Sequence, residues 1–186
     1  MADRQLTGRL LVATPDLKDP HFERTVVLLV ADEPGGTLGV VLNRATEVPV
    51  ADVLDKWAHL VGTPPVLFEG GPVQPDAAIC LALANPEGSP SDGFTRIDGP
   101  VGTVDLSSDP DDLAAGVRQL RVFSGYAGWE PGQLEREIRE GSWFVLDTLP
   151  GDAFVEAPDD LWSMVLRRQG GIMAAVAVYP SDPTLN

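Results

Sequence analysis

A single cysteine, two histidines and a shortage of basic residues narrow the chemistry of this 186-residue chain before any motif is considered. Cys80 has no second thiol to pair with, which excludes an intrachain disulfide, and its neighbours Ile79 and Leu81 predict a buried, inert thiol. His21 and His59 lie far apart, with no Cys or His at zinc-ligand spacing, so each reads as a surface or helix-face residue and neither metal nor cofactor is expected. Lys and Arg number 13 against 28 Asp and Glu, a formal charge of −15. That balance repels a phosphate backbone, so direct nucleic-acid binding is not expected. The apolar run "VVLLVA" at 26–31 is far shorter than the roughly 20 residues of a membrane span. The start, "MADRQLTGRLLVATP", lacks a basic segment followed by a long apolar one, which implies a cytoplasmic protein with no membrane contact. Neither a phosphate loop nor a dinucleotide turn is present. Ser124 precedes Gly125 outside any G-x-S-x-G elbow, and no catalytic residue is assigned.

What remains describes a folded domain rich in turns. A chain of this length buries about 70% of its unfolded surface, and its 19 glycines and 17 prolines mark many short elements without reaching the level of disorder. "RLLVA" at 9–13, "TVVLLVA" at 25–31 and "TLGVVLN" at 37–43 read as strands, the last two at hairpin distance. Two of them are nearly continuous apolar runs, which belong to strands covered on both faces. Further strands are expected at "VLFE" before Gly70, at 77–83, 101–106, 118–123 and in "SWFVLD". "ANPEGSPSDG" at 84–93 has loop composition.

Helical spacing places Val50, Val53, Leu54, Trp57 and Leu60 on one face of a helix over 48–60, with Pro49 in its first turn. "DPDDLAAG" at 109–116 reads as a short helix with its own start and stop, which explains the acidic group Asp109, Asp111 and Asp112. A helix at 158–171 turns Leu161, Trp162, Val165 and Leu166 inward, and "IMAAVAVYP" fits either strand or helix. Strand clusters with helices interspersed irregularly predict an α+β fold, a single domain over 1–186 with a large mixed β-sheet flanked by several short helices.

The stretch "FSGYAGWEPGQLEREIREGSWF", 123–144, gathers glycines and two aromatic rings ahead of a helix expected at 131–140. Leu134 and Ile138 form that helix's inward stripe, and Glu135 with Arg139 stands in the favourable (i, i+4) order. The bend before it reads as a structural corner with Tyr126 and Trp129 half-buried, or as a pocket lined by those rings. Glu130 answers the helix dipole itself and argues against an anion at the helix start.

"GRLLVATPDLKDPHFERTVVLL", "GTLGVVLNR", "FEGGPV" and the 123–144 stretch, taken together and in this order, resemble the YqgE/AlgH family of bacterial proteins over most of the chain. The resemblance implies a cytosolic α+β domain and carries no established reaction. The transcriptional-regulator label of some members finds no basic recognition helix here. The matching polar positions lie at strand ends beside glycine turns, where sites are commonly grafted. They suggest a groove of Asn43, Arg44, Glu69, Gly70, Gly71, Tyr126 and Trp129 holding a peptide or protein partner without catalysis. The rival reading is an enzyme or metabolite binder with Glu69 or Asp16 as acid or base and Arg44 holding an anion. A plain structural account, an Arg44–Glu69 ion pair and an Asn43 capping its own turn, stands beside both.

Overall fold

A computed structural model describes residues 5–87, 92–181 and 184; the expected loop at 84–93 falls in part on residues outside these. Among the described residues ten strands make one sheet: β1 (Leu10–Ala13), β2 (Val26–Glu33), β3 (Gly36–Val41), β4 (Ala45–Pro49), β5 (Val66–Glu69), β6 (Val73–Ala84), β7 (Phe94–Asp98), β8 (Val101–Val104), β9 (Val117–Trp129) and β10 (Trp143–Leu146). Along the sheet the order is β10-β1-β2-β3-β9-β6-β8-β7, with β5 and then β4 branching from β9. The fold is α+β as expected. Its pairings are antiparallel apart from β5 beside β9, so the mixed character rests on one parallel strand pair.

The apolar runs are covered on both faces, as their lack of alternation requires. Leu10, Val12, Val26 and Leu28 point into a core closed by α4 (Leu161–Gln169) and α5 (Gly171–Val176). Leu11, Ala13, Val27 and Leu29 point the other way, towards α3 (Gln133–Arg139) and its buried Leu134. The inward stripe expected for α4 is intact, and the ambiguous run after it is the helix α5. A third core, with Val50, Trp57, Cys80, Leu120 and Val122, lies under α1 (Val50–Val53) and α2 (Pro110–Ala114). Asp109 caps α2 by accepting from the Asp111 amide at 3.0 Å.

The helix expected at 48–60 is not continuous. Residues 45–49 are strand β4, α1 is one turn long, and Leu54 leaves the helical region at φ −131°, ψ 63° before a 3-10 turn at Asp55–Leu60. Val50 and Trp57 reach the core, while Val53 is 57% exposed. Val50 and Trp57 thus keep the inward side that helical spacing gave them, while Val53 does not.

Strand β9 is longer than its sequence suggested and runs through the glycine-rich bend. Before the bend, Arg121 and Phe123 face the core that contains Phe68, and Leu120 and Val122 face the third core. Gly125, at φ +71°, inverts this alternation, so that Ala127 and Trp129 turn to the α3 side and Tyr126 to the opposite one. One strand thereby serves two layers, pairing with β5 and most of β6 before the inversion, and after it with β3 and, at Tyr126, with Val73 at the start of β6. Arg121 is 1% exposed and forms no ion pair among the described residues; it donates to the carbonyls of Thr63, Ala153 and Val155 and lies over the Phe68 ring. Burial lowers its pKa to about 10.

Candidate functional site

The glycines of "FEGGPV" and "FSGYAG" meet each other before they meet anything else. The Gly70 amide donates to the Ser124 carbonyl at 2.8 Å, and the Val41 amide donates to the Gly70 carbonyl at 2.9 Å. A Cβ on Gly71 would stand 2.2 Å from the Tyr126 carbonyl oxygen, and one on Gly125 would stand 2.5 Å from the Gly71 oxygen. Contacts so close admit only glycine. Three backbone segments cross here, which makes Gly70, Gly71 and Gly125 a packed crossing at the point where β9 changes partners.

The aromatic half of the bend is filled as well. Trp129 is 5% exposed, and its ring packs against Phe22 at 6.2 Å and Trp143 at 6.1 Å between centroids. Phe22 also meets Trp143 edge-on at 5.7 Å. Both indoles donate to the same oxygen of Glu137, Trp129 at 3.0 Å and Trp143 at 2.9 Å, while its other oxygen accepts from the Gln133 amide at 3.0 Å. The slot between the two tryptophans is therefore occupied by the chain's own Phe22, and Tyr126 stands half-buried on the far side of the strand.

Phe22 belongs to the turn-rich loop 14–25, and the "LNR" residues are what hold that loop. Asn43 accepts from the Val26 amide and donates to the Arg24 carbonyl, both at 2.9 Å. The Arg44 guanidinium donates to the carbonyls of Pro20 at 3.0 Å and Glu23 at 3.3 Å. No Arg44–Glu69 ion pair is formed, although the Glu69 amide donates to the Arg44 carbonyl at 2.8 Å. Asn43 caps the start of β2 in place of its own turn. Arg24 sits at φ +54°, unusual for a residue with a side chain. Its guanidinium donates to the Tyr179 carbonyl at 2.9 Å and lies 4.0 Å from the centre of the Trp162 ring. Neighbouring contacts thus over-determine a strained backbone.

The loop's own turns complete the clamp. The amides of Phe22 and Glu23 donate to the Asp19 carbonyl, the Asp19 carboxylate accepts from the His21 amide, and the Thr25 hydroxyl donates to the Phe22 carbonyl. What stays outside is mostly polar: Asp16, Lys18, Asp19 and His21 are exposed, with Pro20 among them. Of the residues expected to line a groove, Asn43, Arg44 and Trp129 converge on this loop, Gly70 and Gly71 form the crossing beneath, and Glu69 is exposed at the end of β5. Phe22 and Glu137, the members that join these motifs, were not singled out as site residues. The Trp129–Glu137 and Glu137–Trp143 spacings of eight and six residues follow no local periodicity and give no signal before the helix is folded against the sheet.

Among the described residues no cluster of His, Cys, Asp and Glu could hold a metal ion, and no helix is long and apolar enough to cross a membrane. The chain matches an AlgH-like family model, DUF179, over residues 10–174. A UPF0301 protein of Streptomyces coelicolor is 54% identical, covering 97% of this chain and 95% of its own. A UPF0301 protein of Mycobacterium avium is 46% identical, covering 100% of this chain and 93% of its own. Among solved structures, the crystal structure of protein DIP2367 from Corynebacterium diphtheriae superposes with a TM-score of 0.89 at 31% identity, covering 93% of this chain and 92% of that one. The solution structure of the AlgH protein from Pseudomonas aeruginosa gives 0.70 at 27% identity, covering 98% of both chains.

Proposed function

Because the chain belongs to the AlgH-like family, whose motifs it carries from β1 to α3, we propose that those motifs serve a cytoplasmic binding module that presents the loop 14–25 to a protein partner without catalysis. The observation that supports this reading is the clamp. Asn43, Arg44, Trp129 and Phe22 spend their polar atoms and rings on immobilising one irregular segment whose Asp16, Lys18 and His21 side chains face outward. An ordered loop on a rigid sheet loses little entropy when it binds, so its exposed side chains form a preorganised recognition surface. The recognition element is then the exposed face of this loop in place of the groove that the motif positions suggested. The rival reading, with Arg44 holding an anion, has less support, since its guanidinium is committed to two loop carbonyls.

Site-specific photo-crosslinking in cells tests the reading. A photoreactive side chain at Asp16 or His21 should trap one discrete protein, and the same group at Thr95 on β7 should not. Adding Phe22→Ala to the crosslinking chain should abolish the product while circular dichroism shows the sheet retained. Products that are equal at all three positions, or that survive Phe22→Ala with the loop demonstrably loosened by hydrogen exchange, would sink it.

A further inference from the structure

A second surface lies away from the loop, along the exposed side of α3. Two cavities of about 440 Å³ and about 300 Å³ share Gln5 and Glu135 as a common wall. The first is lined by Asp32, Glu33 and Thr37 from the β2–β3 hairpin and by Pro131 and Gly132 ahead of α3. The second has an apolar floor of Leu6, Ile138 and Val145 and two guanidinium groups, Arg9 and Arg139. Gly132, Glu135 and Arg139 follow at helical spacing, so the trough runs along one face of α3 and changes sign from end to end.

The charges in it are only partly answered from within the protein. Asp32 is committed, accepting from the Leu6 amide at 3.0 Å and the Thr37 hydroxyl at 2.8 Å. Glu33, Glu135 and Arg139 form no ion pair among the described residues, and the Glu135–Arg139 pair expected from the sequence is open. Arg9 meets Asp147 at 2.8 Å through one terminal nitrogen, but Asp147 is 86% exposed and the buried Nε of Arg9 finds no acceptor. The Arg9 side chain keeps 36% of its surface exposed, so its guanidinium and the unpaired one of Arg139 offer donors to a carboxylate beside an apolar floor.

We propose that this trough binds an extended peptide segment that carries a basic side chain at the Glu33–Glu135 end, an apolar side chain over Leu6, Ile138 and Val145, and an acidic side chain at Arg9 and Arg139. The length fits. From Gly132 to Arg139 the helix rises about 10 Å, at about 1.5 Å per residue. An extended chain covers that distance in about three to four residues, and because every second side chain faces one way, the three groups stand at i, i+2 and i+4. Charge reversal along the trough selects against segments of one sign, which supplies specificity where a short contact supplies little affinity. None of the loop residues 14–25 lines either cavity, so the site stands independently of the loop surface.

Titration of the isotope-labelled full chain, followed by amide chemical shifts, tests the assignment with three capped pentapeptides: Lys-Ala-Leu-Ala-Glu, Lys-Ala-Leu-Ala-Lys and Glu-Ala-Leu-Ala-Glu. The first should bind about tenfold tighter than either control, moving amides in 5–9 and 132–139. Arg139→Glu should transfer the preference to Lys-Ala-Leu-Ala-Lys, and Glu33→Lys should transfer it to Glu-Ala-Leu-Ala-Glu. Both changes are at exposed positions, so an unaltered amide spectrum of each free variant secures the comparison. Equal binding of the three peptides, shifts confined to other surfaces, or preferences unmoved by the two reversals would each overturn the proposal.

Discussion

Glu137 concentrates more of the local chemistry than any residue the sequence brought forward. Its carboxylate satisfies two indole N–H groups of buried rings and an amide at once. Glu137→Ala should cost about 3 kcal/mol, because two donors lose their acceptor in a packed slot; urea unfolding measures the loss, and tryptophan emission should move to the red. Cys80 makes the opposite case, a group whose sequence context already told its state. The thiol is 1% exposed, and burial pushes its pKa up to about 12. The folded chain therefore holds this proton between pH 9 and pH 12 where the unfolded chain releases it, so stability falls as pH rises through that window. By pH 10 the loss from this group should reach about 1.4 kcal/mol relative to pH 8. Cys80→Ala should remove that part of the alkaline slope, and native protein should resist iodoacetamide at pH 8 until it is unfolded.

At the scale of elements, the inversion at Gly125 decides how β9 is shared between layers. An added methyl there meets both a left-handed backbone and the Gly71 carbonyl oxygen. Gly125→Ala should destabilise by about 4 kcal/mol or more, whereas Gly132→Ala, with φ +78° but open space around it, should cost about 1 kcal/mol. Comparable losses at the two sites in denaturant titrations would mean that the backbone crossing is not the constraint. The elements that the sequence displayed well were the doubly covered strands and the α4 stripe, since burial on one or both faces leaves a direct hydrophobic pattern. The 48–60 segment misled because its apolar residues satisfy a helical period that the chain abandons at Leu54. Strand β7, "FTRID", escaped notice because its exposed Thr95, Arg96 and Asp98 lack the apolar face of a strand.

For the whole molecule the dominant global term is charge. A net −15 on 186 residues opposes the compact state through self-repulsion. Raising sodium chloride from 20 to 500 mM should therefore raise the melting temperature by a few degrees, an effect that calorimetry resolves; a flat or falling response would show that local ion pairs outweigh the net field. Arg121 shows the same balance locally, a cation kept in the core by three carbonyls and an aromatic face in a chain where carboxylates are abundant. It joins β9 to Thr63 and to the 3-10 turn at Pro150–Phe154, segments far apart in sequence, so its removal would be felt across the sheet.

The sequence by itself determined the α+β class, the covered central strands, the inert thiol and the family, because each rests on local composition, periodicity or an ordered set of motifs. Only the tertiary structure decided what the motif residues touch. Whether "GYAGW" is a cradle or a corner depends on which side chain enters the slot between Trp129 and Trp143, and the answer, Phe22, comes from more than a hundred positions away. Whether "LNR" lines a groove or holds a loop depends on hydrogen bonds across 17 to 24 residues of chain. Such contacts are set by packing between elements, and no local pattern encodes them.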